Sequence, residues 1–195
     1  MKNNEILEDM ERETLSTWVK TMLTIYPTLP NIIKVIDSIV ELRATNLTSA
    51  YTSSGQLKYS SYDQVDRVIK MMERKSKMLR IHDFVCDLIK PLTKEELRFL
   101  KLRFFTRMRI EKLVEVTGIS TRSVYRKAHH IISKLTNALS VRGITSYDIE
   151  DMVKGEHWIY AQYDKHASEK KTNFLKGRNF TDHMVEDKSM KEQVC

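Results

Sequence analysis

Glycine and proline are scarce in this chain, at five and three of 195 residues. A many-stranded β fold draws on both residue types at its turns, so their scarcity argues against one. Cysteine is rarer still: Cys86 and the terminal Cys195 are too few and too far apart for a disulfide framework, which fits a reducing compartment. No apolar run approaches the roughly 18 residues that span a bilayer. The opening Met-Lys-Asn-Asn-Glu has no apolar stretch behind a basic one, as a signal peptide would. Cys195 stands last rather than fourth from the end, so a prenylation box is not expected. A cytoplasmic, nucleoid-associated protein with no membrane partner is expected.

What the chain has in quantity is Leu, Ile, Lys, Glu, Arg and Met, which favour helices; with 41% apolar residues for a core, an all-α fold is expected. From Glu5 to Ile25, Leu7, Met10, Leu15, Trp18, Val19, Met22 and Leu23 recur at helical spacing. Glu8, Asp9, Glu11 and Glu13 suit that helix's N-terminus. Pro27 and Pro30 break the chain, and Asn31 can cap a second helix with Ile32, Ile33, Val35, Ile36, Ile39, Val40 and Leu42 on an apolar face. Asn46 to Ser61, rich in Ser, Thr, Asn and Tyr, reads as a connector. A third helical stretch, Tyr62 to about Ile89, carries Val65, Val68, Ile69, Met72, Leu79, Phe84, Val85 and Leu88. The run Glu73 to Lys77 is a solvated face or a break within it. Cys86 sits among apolar residues and is expected to act as a small buried hydrophobe.

Charge is distributed unevenly. Between Thr93 and Thr145 there are twelve Lys and Arg against four Asp and Glu, a local excess of +8 in a chain of net +7. Cations gathered on one predicted module are the footprint of a polyanion-binding surface.

That module has a definite grammar. Thr93 followed by Glu96 is a capping box. Its helix carries Leu97, Leu100, Leu102, Phe104 and Phe105, then Thr106 to Arg109 turn the chain. A helix from Ile110 to Thr117 is expected to bury Leu113, Val114 and Val116. Gly118 supplies the positive φ of a sharp helix exit, Ile119 points inward, and Ser120 caps the next helix. That helix spans Thr121 to Leu139 with Val124, Ala128, Ile131 or Ile132, and Leu135 inward. Thr121, Arg122, Ser123, Tyr125 and Arg126 are left outward, where Arg can fork onto guanine and the hydroxyls can reach bases or phosphates. Arg109, Lys127 and His130 complete the candidate DNA-contacting set; Lys127, His129, His130 and Lys134 are expected to face the DNA backbone or solvent. After a turn around Gly143, Ser146 can cap a further helix through Tyr147, Ile149, Met152, Trp158, Ile159 and Tyr163.

The segment resembles region 4 of bacterial sigma factors in Leu102-Arg103-Phe104-Phe105, Glu111-Lys112-Leu113-Val114-Glu115 and Thr117-Gly118-Ile119-Ser120. Its Ser-Val-Tyr-Arg-Lys at residues 123–127 is similar to ArpU-like and RinA-like phage regulators. The resemblance covers roughly a quarter of the chain. It implies a sigma-like helix-turn-helix that acts in transcription. There are departures: Arg109 stands where a capping Ser or Thr is usual, Val114 where Ala is usual, and Thr106-Arg107 replaces an acidic-Gly turn.

Other chemistry finds little support. His129 and His130 are adjacent and cannot share a helix face as zinc-binding pairs do. Asp148, Glu150 and Asp151 match an ordinary acidic helix start. No Gly-rich phosphate loop is present. Trp158, Tyr160 and Tyr163 suit helix packing better than base stacking. The expectation is a non-enzymatic regulator without metal or cofactor, organised as a helical N-terminal region (1–91), a DNA-binding domain (92–145), a C-terminal helix (146–169) and a disordered tail (170–195). Its expected partners are double-stranded DNA, RNA polymerase and a second copy of itself. Trp18, Met22, Ile32, Ile36 and Ile39 would serve an internal bundle, a dimer or a polymerase contact. A complete divergent sigma factor and a packaging or recombination accessory, such as a small terminase subunit, are the competing roles.

Overall fold

The structure, a computed structural model, describes residues 2–47 and 61–169, and every regular element among them is helical, with no strand. The chain divides into two units, residues 1–155 and 156–195. The connector expected at Asn46–Ser61 lies almost wholly outside the described residues, and the tail at 170–195 lies outside them entirely. No described helix is long and apolar enough to cross a membrane.

The first unit is built around α1 (Lys2–Ile25), which packs along α6 (Thr121–Val141) and α7 (Ser146–Val153). From Leu15 onward α1 turns one broad apolar face inward: Leu15, Trp18, Val19, Met22, Leu23 and Ile25 are buried. Thr17 and Thr21 are buried between them. Their hydroxyls donate to the carbonyls of Glu13 and Thr17, which satisfies the polar groups inside the helix. Leu7 and Met10, which recur at the same helical spacing, are exposed. Near that end of α1, Glu11 accepts hydrogen bonds from the Ser146 amide and hydroxyl, and Arg12 donates to Asn137. Further in, Trp18 Nε1 donates to Glu150 at 3.3 Å.

A single 3₁₀ turn, Tyr26–Thr28, carries Pro27 and leads directly into α2 (Leu29–Leu47). Asn31 is therefore not the cap. Pro30 sits in the first turn, where its missing amide costs no helical bond. α3 (Ser61–Leu88) runs unbroken through the charged run at 73–77 and packs on α2, with Lys75 paired to Asp37 across the hairpin. Its buried side chains are Met78, Ile81, Val85 and Leu88, while Val65, Ile69, Met72 and Leu79 are exposed. Cys86 is half-buried, not a sealed hydrophobe: its Sγ lies 3.3 Å from the Tyr26 hydroxyl, and Tyr26 stacks on His82. Burial, and after it the Cys86 thiol, pushes the Tyr26 hydroxyl up to about 12.

The boundary expected near residue 91 is not a break in packing. Residues on both sides of it belong to the 1–155 unit, because α1 supplies the apolar surface against which α6 and α7 close. The helix expected from Ser146 through Tyr163 is two helices. Thr145, not Ser146, is the cap of α7, in a capping box with Asp148, and Gly155 (φ +84°) ends the continuity. The second unit begins at Glu156 and contains α8, residues 157–169. Trp158, Tyr160 and Tyr163 are half-buried there, and Trp158 Nε1 donates to Glu156 at 3.0 Å.

Candidate nucleic-acid interface

Three short elements carry the candidate surface: α4 (Lys94–Leu100), α5 (Ile110–Thr117) and the N-terminal half of α6. Thr93 and Glu96 close the capping box at α4. α4 then widens into a π turn, Lys101–Phe105, in which the Thr106 amide reaches back to the Lys101 carbonyl. Arg107 follows at φ +49°, a left-handed conformation that costs a side-chain-bearing residue about 1–2 kcal/mol. Its guanidinium donates to the Thr24 carbonyl and the Thr28 hydroxyl, which ties this turn to the end of α1. Phe105 packs on Tyr26 with ring centroids 4.8 Å apart, adding a second tie.

α5 ends at Gly118, whose amide still donates to the Val114 carbonyl and whose φ of +68° turns the following chain out of the helix. Ser120 accepts the Ser123 amide and starts α6. Within this unit Leu113, Val124, Ile131 and Leu135 are fully buried. Val116, expected in the core, is 51% exposed, because an eight-residue helix turns only one narrow side to α6. Ile119 is half-buried. A Cβ on Gly118 would meet nothing within 4 Å, so Gly118→Ala is expected to cost about 1 kcal/mol through backbone strain alone. Chemical denaturation would measure this, and Gly118→Asn should cost less, since Asn tolerates the left-handed region.

The candidate residues separate into three groups. Thr121, Arg122, Tyr125 and Arg126 are exposed together on α6. His129 shares their face, at i+7 from Arg122 and i+4 from Tyr125, and is also exposed. Helical spacing alone could have added it to the set. The second group has partners within the unit, at the α6 cap or on α4, although His130 stays exposed. The Ser123 hydroxyl accepts from Ser120 at 3.0 Å, Lys127 Nζ lies 5.4 Å above the Phe99 ring, and His130 Nε2 is 3.8 Å from Glu96. Arg109 stands apart, exposed at the N-cap of α5 without a side-chain cap bond.

Lys134, expected at the DNA backbone or in solvent, bonds Glu96 at 2.7 Å. That bond, and then the one from the Thr93 amide, holds the Glu96 carboxyl below its ordinary value of 4.5. A carboxyl depressed by folding stabilises the native state above its unfolded-state value, and this contribution fades as pH falls through the lower, folded value. Glu96→Gln should therefore narrow the difference in melting temperature between neutral pH and pH well below 4.5. An identical difference in the parent protein and the variant would assign the acid sensitivity elsewhere.

The basic excess is thus not spread evenly. Glu96 pairs with Lys134, whereas among the described residues no carboxylate pairs with Arg122 or Arg126. These two cations sit one helical turn apart beside Tyr125, which is 58% exposed. Among the described residues no group of three or more His, Cys, Asp or Glu side chains could hold a metal ion. Comparison of the chain with protein-family models, curated proteins and solved structures found no match.

Proposed function

We propose that this is a DNA-binding protein of the helix-turn-helix class. Within that class we read it as a sequence-specific transcription regulator, a phage-type activator or sigma-like factor that enters the major groove with α6. One observation carries the reading. The cap at Ser120 and the buried stripe through Val124, Ile131 and Leu135 turn Arg122, Tyr125 and Arg126 outward together, near the helix start. Side chains at that end of such a helix reach base edges first, and Arg forks onto guanine O6 and N7.

Selection of bound sequences from a random duplex pool tests it directly. A single enriched motif is expected, and its affinity should fall steeply with salt as phosphate contacts release counterions. A pool with no enrichment, or a complex indifferent to salt, would sink the reading. Co-purification with core RNA polymerase and transcription without another sigma factor would favour the sigma-like role. Ring-shaped oligomers with unchanged transcripts after deletion would favour packaging.

A further inference from the structure

The residues of α3 left out of the core form a pattern. Tyr62, Val65, Ile69, Met72 and Leu79 are 80, 48, 49, 56 and 39% exposed. With Ser76 they fall at steps of three and four residues, the a and d positions of a heptad. The core-facing residues Met78, Ile81, Val85 and Leu88 lie outside this series. α3 therefore carries two apolar stripes, of which only one is buried against other elements among the described residues. Scattered exposed apolar residues need no explanation, but a contiguous heptad stripe does.

We infer that this stripe is a self-association surface, occupied by α3 of a second copy of the chain. A heptad seam is self-complementary, since the knobs of one helix fit the holes of an identical one. No charged residue stands at any of the six seam positions, so pairing buries no ion along it. Tyr62 to Leu79 spans about 26 Å of helix. Two such stripes laid together bury on the order of 1,000 Å² in total, at the lower limit for a specific interface. The dimer is accordingly weak and forms reversibly with concentration. Self-association through α3 does not depend on the DNA-binding reading and is measured without nucleic acid.

Sedimentation of the full chain over a wide concentration range should show mass rising from monomer toward dimer. Ile69→Glu with Met72→Glu places like charges at the seam centre and should weaken the dimer at least tenfold. Because both residues are exposed in the monomer, the helical circular dichroism should be retained. Met72→Cys should form disulfide-linked dimers on mild oxidation, above the background from Cys86 and Cys195. Arg67→Cys, exposed on the same helix but off the stripe, should not. A monomer mass at every concentration, or a dimer unaffected by the double Glu variant, would overturn the inference.

Discussion

Replacing Arg122 and Arg126 together by Ala is expected to lower affinity for a cognate duplex on the order of 100-fold or more. A side chain reading a base edge contributes roughly 1–3 kcal/mol, and each 1.4 kcal/mol is about tenfold. Both residues are exposed, one turn apart, with no carboxylate partner among the described residues, so their removal breaks no internal ion pair. The folded state should survive unchanged in melting temperature, which separates lost recognition from lost structure. Competition against non-cognate duplex then sorts the mechanism. Preferential loss on the cognate sequence identifies base readout, and an equal loss on all sequences identifies phosphate clamping. Lys70→Ala, in a surface ion pair on α3, serves as the control and should change little. Affinity within twofold of the parent in the double variant would remove α6 from the interface.

The second large effect is on stability. Trp18→Ala is expected to destabilise the first unit by about 3–5 kcal/mol, the usual cost of removing a buried aromatic side chain. Trp18 is 1% exposed on the helix that α6 and α7 close upon, and its indole N–H bonds Glu150. For a unit of this size the melting temperature should fall by about 10 °C or more. Leu7→Ala, on the same helix but 63% exposed, should leave it nearly unchanged. The same packing implies that residues 92–145 cut out alone will not hold the native fold. α6 would then expose the apolar side it now turns to α1, whereas a self-sufficient 92–145 fragment with native helicity would contradict this account.

How far the residues themselves disclosed this differs from one element to the next. The capping box at Thr93 and Glu96, the left-handed Gly118 and the cap at Ser120 were legible because each is a local event. Backbone amides left unpaired at a helix start, or a φ that only glycine adopts cheaply, are decided within a few residues. The inward stripe of α6 was legible for the same reason, being a matter of spacing along one helix. Val116 was misjudged, and the exposure of Leu7 and Ile69 was not legible, because period alone marks an apolar residue without saying whether a partner element covers it. Arg107 shows the converse. Nothing local favours a left-handed arginine, but the Thr24 carbonyl and the Thr28 hydroxyl, some eighty residues away, meet its guanidinium.

The candidate surface follows the same division. Spacing and charge alone placed Arg122, Tyr125 and Arg126 outward. That Lys127 lies over Phe99, and that Lys134 pairs with Glu96, depended on where α4 crosses α6. By itself the sequence determined an all-helical chain, the capped turn between α5 and α6, and the concentration of cations there, because helix propensity, caps and net charge are properties of short segments. Only the tertiary structure decided that α1 forms the centre of the unit that holds α6, that Arg122 and Arg126 face solvent while Lys127 and Lys134 meet α4, and that one apolar stripe of α3 stays exposed among the described residues. Those outcomes turn on which surfaces meet, and long-range burial settles that.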